Sequence, residues 1–174
     1  MDEQAFIREN AQDVYNLSLR LVQNPSDAED LAQDSLLRAL KSLPNFRGES
    51  SVSTWLYRIT VNTWKNRVRA EKRRGFFRFV SLDLFFGEDG SAEEKLPSNE
   101  PPLDQNLAAQ EKKDAVRAAL ARMPEEARAV IVLRDLEERS YQDISQILGV
   151  PEGTVKSRLS RARLGLKDIL KKSF

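Results

Sequence analysis

The side chains of this chain that could do chemistry suit the holding of phosphate better than covalent catalysis. The sequence of 174 residues contains no His and no Cys. The commonest general base and metal ligand is therefore missing, and so are thiolate nucleophiles, zinc thiolates and disulfides. Carboxylates, Lys, Arg and hydroxyls remain. Asp30 and Asp34, one helical turn apart, are the pair that could be offered as an acid and a base. No glycine-rich loop and no apolar pocket signal accompanies them. Neither a catalytic site nor a cofactor nor a metal is expected.

Net charge is +1, which taken alone argues against nucleic acid, but its distribution reverses that reading. Residues 1–57 carry nine acids and five bases, whereas residues 58–78 carry eight bases and one acid. Residues 79–104 carry seven acids and one base, and residues 152–174 carry seven bases and two acids. Two basic blocks separated by an acidic stretch imply two anion-binding surfaces.

The second basic block has a specific shape. In SYQDISQILGVPEGTVKSRLSRAR a short helix with Ile144, Ile147 and Leu148 inward is expected to end at Gly149, which suits a left-handed cap. Pro151 suits the start of the next helix. So short a connection is that of a helix-turn-helix. At about 100° per residue, Val155, Leu159, Ala162, Leu166 and Ile169 share the inward face. Gly153, Ser157, Ser160 and Arg161 fall opposite, flanked by Lys156 and Arg163. Small polar residues allow entry to a DNA major groove, and Arg can make two hydrogen bonds to guanine. The plainer reading is an amphipathic helix with a solvated basic face.

The first basic block lies in SVSTWLYRITVNTWKNRVRAEKRR, expected as one helix from about Ser53 to Lys72. Val52, Leu56, Ile59 and Thr63 are expected inward. Thr54, Tyr57, Arg58, Val61, Lys65, Arg69 and Lys72 are expected outward, with Asn62 and Trp64 on the flanks. Bases at this spacing track a phosphate backbone, and interleaved aromatics offer stacking faces to unpaired bases. Trp55 fits a core position better than a base contact; Tyr57 and Trp64 fit either. The loop NFRGESS before the helix offers Asn45, Arg47, Ser50, Ser51 and backbone N–H groups that could cup an extruded base.

In DAEDLAQDSLLRALKSL, Ala28, Leu31, Ala32, Leu36, Ala39 and Leu43 are expected inward. Asp30, Asp34, Leu37 and Lys41 face out, with Gln33 beside them. An exposed Leu between carboxylates fits a docking face for a basic protein and equally a solvated face.

These segments must be positioned by helices, because apolar residues recur at helical spacing and β-branched runs are scarce. The expected architecture is all-α, with two small helical domains: residues 1–74, then a flexible linker over 75–106, then residues 107–174. The linker holds Gly, Pro, Ser and acids. Its front, GFFRFVSLDLFF, carries five of the eight Phe. Docking on its own domain and docking on a partner both fit that front. The polar, acidic start is not a signal peptide, and no run approaches a membrane span, so an intracellular protein is expected.

Taken together the segments resemble the extracytoplasmic-function sigma factors of bacterial RNA polymerase, of the sigma-E-like kind. DAEDLAQDSLLRAL resembles region 2.2 of that family, FRGESSVSTWLYRITVNTWKNRVR regions 2.3 and 2.4, and LARMPEEARAVIVLRDLEERSYQDISQILGVPEGTVKSRLSRAR region 4. The resemblance implies a factor that docks on core polymerase through Asp30, Gln33, Asp34 and Leu37. It implies minus-10 contacts, with capture of a flipped base of the non-template strand, from Phe46, Arg47, Gly48, Glu49, Ser50, Ser51 and Asn62. Tyr57, Arg58, Lys65, Asn66 and Arg69 would hold the opened strand. Thr154, Lys156, Ser157, Arg158, Ser160, Arg161 and Arg163 would read the minus-35 duplex. It further implies a cytoplasmic protein that is no obligate homo-oligomer, regulated by an anti-sigma partner which in some cases holds it at the inner membrane. The rivals are a conventional regulator, with a sensing or dimerisation domain ahead of its helix-turn-helix, and a helical enzyme with an incidental basic tail.

Overall fold

The computed structural model of the chain describes residues 3–85 and 105–172, with side chains described over 3–75 and 109–172. Seven α-helices follow in order among the described residues: α1 Glu3–Val22, α2 Pro25–Ser42, α3 Val52–Phe85, α4 Gln105–Ala121, α5 Glu125–Ile131, α6 Tyr141–Leu148 and α7 Glu152–Lys172. A 3-10 turn, Leu43–Asn45, follows α2, and a π-helical turn, Val132–Leu136, follows α5.

Local chemistry sets the boundaries. Asn24 caps α2 by accepting from the Asp27 N–H at 3.1 Å, and Pro25 opens the helix where its missing N–H costs nothing. Ser51 caps α3 by accepting from the Thr54 N–H at 3.1 Å. Ser140 caps α6 through the Asp143 N–H at 3.0 Å. Gly149 ends α6 in the left-handed region at φ 66°, and Pro151 precedes α7, as the sequence suggests for a tight helix-turn-helix. α3 differs from expectation at its far end. Its backbone continues past Lys72 to Phe85, into the Phe-rich front of the expected linker. The side chains of that front lie outside the described residues.

In the first domain α1, α2 and the start of α3 pack around Phe6, Val14, Ala32, Ala39 and Leu56. The inward face of α2 is as expected, with Ala28, Leu31, Ala32 and Ala39 buried. The second domain is held by Leu120, Val130, Leu133, Ile144, Ile147, Val155 and Leu159. These residues do not form a separate core. Leu17, Leu21, Leu31, Tyr57, Val61 and Trp64 of the first domain belong to the same cluster, so the two domains are packed face to face. Each such Leu, Ile or Val contributes about 1.5–3 kcal/mol on full burial, which makes this contact apolar as well as polar.

The turn of the helix-turn-helix gives a paired test of backbone against packing. A Cβ at Gly149 or at Gly153 meets nothing within 4 Å, but only Gly149 has positive φ. Gly149→Ala should therefore lower stability by about 1–2 kcal/mol through left-handed strain alone. Gly153→Ala should be neutral or raise stability by up to about 1 kcal/mol. Urea unfolding followed by circular dichroism measures both.

Candidate nucleic-acid interface

The basic helix α3 divides its polar residues between two environments. Thr54, Tyr57, Val61 and Lys65, expected to face water, are buried, and so is Trp64. Their face of the helix is covered by the second domain, which periodicity within one helix cannot reveal. The Tyr57 hydroxyl donates to Glu137 Oε2 at 2.7 Å, and Arg139 lies over the Tyr57 ring at 3.9 Å. Lys65 Nζ meets Glu126 at 2.9 Å and is only 8% exposed. Thr54 donates to Asp143 at 3.1 Å, and Lys72 pairs with Glu125 at 2.7 Å. Arg128 lies over the Trp64 ring at 5.5 Å and donates to the Leu21 carbonyl at 3.0 Å. From α1, Arg20 reaches Glu137 at 2.6 Å and also donates to the Leu136 carbonyl.

The rest of α3 is open. Arg58, Asn62, Asn66 and Arg69 are exposed at helical spacing and form one polar stripe. The loop before the helix sits beside this stripe. Phe46 packs on Trp55 with ring centroids 4.8 Å apart, so Trp55 supports the loop and is half-buried against the first core. Gly48 holds φ 71°, which turns the loop and leaves Arg47, Gly48 and Glu49 exposed. A cleft of about 760 Å³ lies there, lined by Phe46, Arg47, Ser50, Trp55 and Arg58 and, across it, by Gly149 and Pro151 of the helix-turn-helix. Ser51 serves as the cap of α3 and also bonds Thr54 Oγ1 at 2.9 Å.

The outer face of α2 separates its acids. Asp30 and Gln33 are exposed, and Leu37 is 58% exposed. Asp34 is half-buried and tied down, accepting from Arg38 at 2.9 Å and from Arg67 of α3 at 3.2 Å. Partial burial alone would raise its pKa, but the two guanidinium hydrogen bonds outweigh that and hold it below the usual carboxylate value.

On α7, Val155, Leu159 and Ala162 are buried as expected. Lys156, Ser157, Ser160 and Arg161 are exposed on the opposite side, with Thr154 half-buried. Arg158 and Arg163 are engaged within the domain: Arg158 with Glu126 at 2.9 Å, and Arg163 with Asp135. The residues that sequence reasoning missed are the partners across the domain contact: Arg20, Glu126, Arg128, Glu137 and Arg139. Their contacts with the other domain join positions 61 to 117 residues apart, and no local pattern announces them. Among the described residues no His, Cys, Asp or Glu group could hold a metal, and no helix is long and apolar enough to cross a membrane.

An acidic-apolar helix, a basic helix with a loop, and a helix-turn-helix are thus carried on two packed helical domains. Comparison with known proteins agrees. Residues 6–74 match the family model of sigma-70 region 2, and residues 113–166 match that of sigma-70 region 4. The chain is 38% identical over 166 residues to the ECF RNA polymerase sigma factor SigE of Mycolicibacterium smegmatis, covering 95% of this chain and 60% of that protein. It is 35% identical over 158 residues to the RNA polymerase sigma-H factor of Pseudomonas aeruginosa, covering 90% and 80%. It is 38% identical over 138 residues to the ECF RNA polymerase sigma-E factor of Haemophilus influenzae, covering 79% and 71%. Among solved structures, the sigma factor RpoE of Bartonella quintana, in complex with the anti-sigma factor NepR, superposes with a TM-score of 0.64 at 26% identity, covering 97% of this chain and 96% of that one. CnrH in complex with the cytosolic domain of CnrY shares the fold, with a TM-score of 0.65 at 19% identity and coverage of 99% and 89%. The chain belongs to the extracytoplasmic-function sigma factors of bacterial RNA polymerase, a family of initiation factors rather than enzymes.

Two titrations check this geometry. Burial, then the Glu137 hydrogen bond, pushes the Tyr57 phenol up from 10.0 to about 12. A raised acid pKa gives stability that is present in full below the unfolded value and is lost as pH rises through the folded one. Of the three tyrosines, one should form tyrosinate late in an absorbance titration, and the domain contact should weaken in that alkaline range. Asp34 works in the other direction, since its pKa is depressed. Its contribution is present above the unfolded carboxylate pKa and disappears as pH falls through the folded one. Asp34→Asn should cost about 0.5–1 kcal/mol at pH 7, as befits a partly exposed network. The difference from the unaltered protein should vanish in acid unfolding curves.

Proposed function

We propose that this sigma factor works as a two-part promoter reader held in register by polymerase. The parts are residues 1–74, the linker 75–106 and residues 107–174. The observation that carries the reading is the pair of separate exposed polar faces on one chain: Arg58, Asn62, Asn66 and Arg69 on α3, and Lys156, Ser157, Ser160 and Arg161 on α7. The exposed α2 surface of Asp30, Gln33 and Leu37 docks on core polymerase, while Asp34 stiffens it from below through Arg38 and Arg67. The outer face of α7 enters the minus-35 major groove, where the exposed Arg161, whose Nε donates only to the Ser157 carbonyl of its own helix at 3.3 Å, is the guanidinium best placed for base contact. The loop Phe46–Ser51 and Asn62 take the extruded minus-10 base, and Arg58, Asn66 and Arg69, with Tyr57 and Lys65 once exposed, track the opened strand. Each domain alone binds DNA weakly, and polymerase supplies the effective concentration that joins them.

The factor acts in the cytoplasm, where polymerase and promoter are. An anti-sigma protein that covers the α2 surface would keep it from polymerase. Support comes from the apolar Leu37 exposed among acids and from the solved sigma factor RpoE of Bartonella quintana, which is in complex with the anti-sigma factor NepR.

Asp30→Lys combined with Leu37→Ala touches only exposed positions and should leave folding intact. It should weaken core-polymerase affinity by tenfold or more, about 1.4 kcal/mol, in a fluorescence-anisotropy titration. Unchanged affinity would refute the docking role. Arg161→Ala should cost about 1–3 kcal/mol at one minus-35 position and relax selectivity there. Lys156→Ala should instead weaken binding uniformly and lower the salt slope by about one. Competition assays with polymerase-bound factor on promoter variants separate the two patterns.

A further inference from the structure

The cleft beside the Phe46 loop has two walls, one from each domain. The first wall carries Arg47 and Arg58, both exposed, and among the described residues neither takes part in an ion pair. Glu49 is the acid that shares the lining with those two bases. Phe46 and Trp55, half-buried and tilted by 36° to one another, add aromatic surface to the same wall. An exposed amide side chain stands on each wall, Asn45 on the first and Gln146 on the second. Both walls are fixed by local hydrogen bonds. The Phe46 N–H donates to the Leu43 carbonyl at 3.1 Å. Across the cleft the Ser145 hydroxyl donates to the Val150 carbonyl at 2.6 Å, and the Ser145 carbonyl accepts from the Gly149 N–H at 2.9 Å. The hydrogen bond from Thr54 to Asp143, at 3.1 Å, ties the first wall to the helix that carries the second.

We propose that this cleft binds a free purine nucleoside diphosphate between the two domains. Its volume of about 760 Å³ lies within the range of small-molecule sites, roughly 300–1,000 Å³. Most such sites are apolar with a few polar groups, whereas this one offers two guanidinium groups and two amides, which select a polar anion. Each guanidinium can take a phosphate through a fork of two hydrogen bonds. The aromatic surface of Phe46 and Trp55 gives the base a stacking partner. Asn45 and Gln146 each supply a donor and an acceptor for the base edge. The inference goes beyond promoter reading. It needs Gln146, which lies outside the proposed DNA-reading residues, and it needs neither polymerase nor a DNA strand. A ligand that touches both domains favours their packed arrangement by mass action. Availability of the free factor would then follow the level of such nucleotides.

Isothermal titration of the full-length protein with guanosine diphosphate and adenosine diphosphate tests this, with guanosine and inorganic pyrophosphate as comparisons. At least one diphosphate should bind in a one-to-one complex, about tenfold or more tighter than guanosine or pyrophosphate. It should also change the tryptophan fluorescence, and Trp55→Phe should abolish that change. Arg47→Ala removes a base from the first wall, and Gln146→Glu places an acid on the second. Both positions are exposed, so folding should be kept, and each variant should bind about tenfold more weakly. Absence of binding by either diphosphate would overturn the proposal. So would pyrophosphate binding as tightly as the diphosphates, which would mark a patch for anions only. Affinity lost in Arg47→Ala but unchanged in Gln146→Glu would also overturn it, leaving a base held by the loop alone. None of these failures touches the minus-10 role of the loop, which is read on promoter DNA with polymerase present.

Discussion

Glu137 accepts a hydrogen bond from the Tyr57 hydroxyl and an ion pair from Arg20, and both donors belong to the other domain. The arrangement of the molecule depends on this contact and on the apolar surface around it. Val61, Trp64 and Leu21 are buried in one cluster with Val130, Leu133 and Ile144, so the second domain shares its core with the first, which has a further cluster of its own around Phe6 and Leu56. The polar pairs set the register of that apolar contact. A charge left behind in such a contact would be costly, so Tyr57, Lys65 and Arg20 each meet a carboxylate across it, while the buried Nε atoms of Arg128 and Arg139 have no hydrogen-bond partner among the described residues.

The same constraint sorts the basic residues. Lys65, Arg158 and Arg163 are neutralised by Glu126 and Asp135. Arg58, Arg69, Lys156 and Arg161 are exposed, without a side-chain carboxylate partner in those ion pairs. A net charge of +1 is thus compatible with DNA binding, because free positive charge is concentrated on two faces while acids occupy the contact between them.

Much of this was legible in the sequence where the relevant interaction is local. Caps, the Gly149 turn and the inward faces of α2 and α7 follow from periodicity and backbone preference within one or two helices. α3 was legible only in part. Its outward face was correctly read at Arg58 and Arg69 but not at Thr54, Tyr57, Val61 and Lys65, which are buried. A helix that packs on two sides shows a nearly continuous mixture of apolar and polar residues, and one periodicity cannot divide it. Trp55 illustrates the same limit, since it is neither core nor free surface but the floor under Phe46. Glu137 gave no signal at all. It lies in a charged run, LEER, whose meaning depends on a tyrosine 80 residues earlier.

Start-site mapping with core polymerase and a supercoiled promoter library tests the central claim most directly, that this chain reads two separated promoter elements only together with polymerase. Discrete initiation sites should appear when polymerase and factor are both present, each preceded by two elements at one fixed spacing, and should be absent with either alone. Tight duplex binding by the factor on its own, with no initiated transcript, would contradict it.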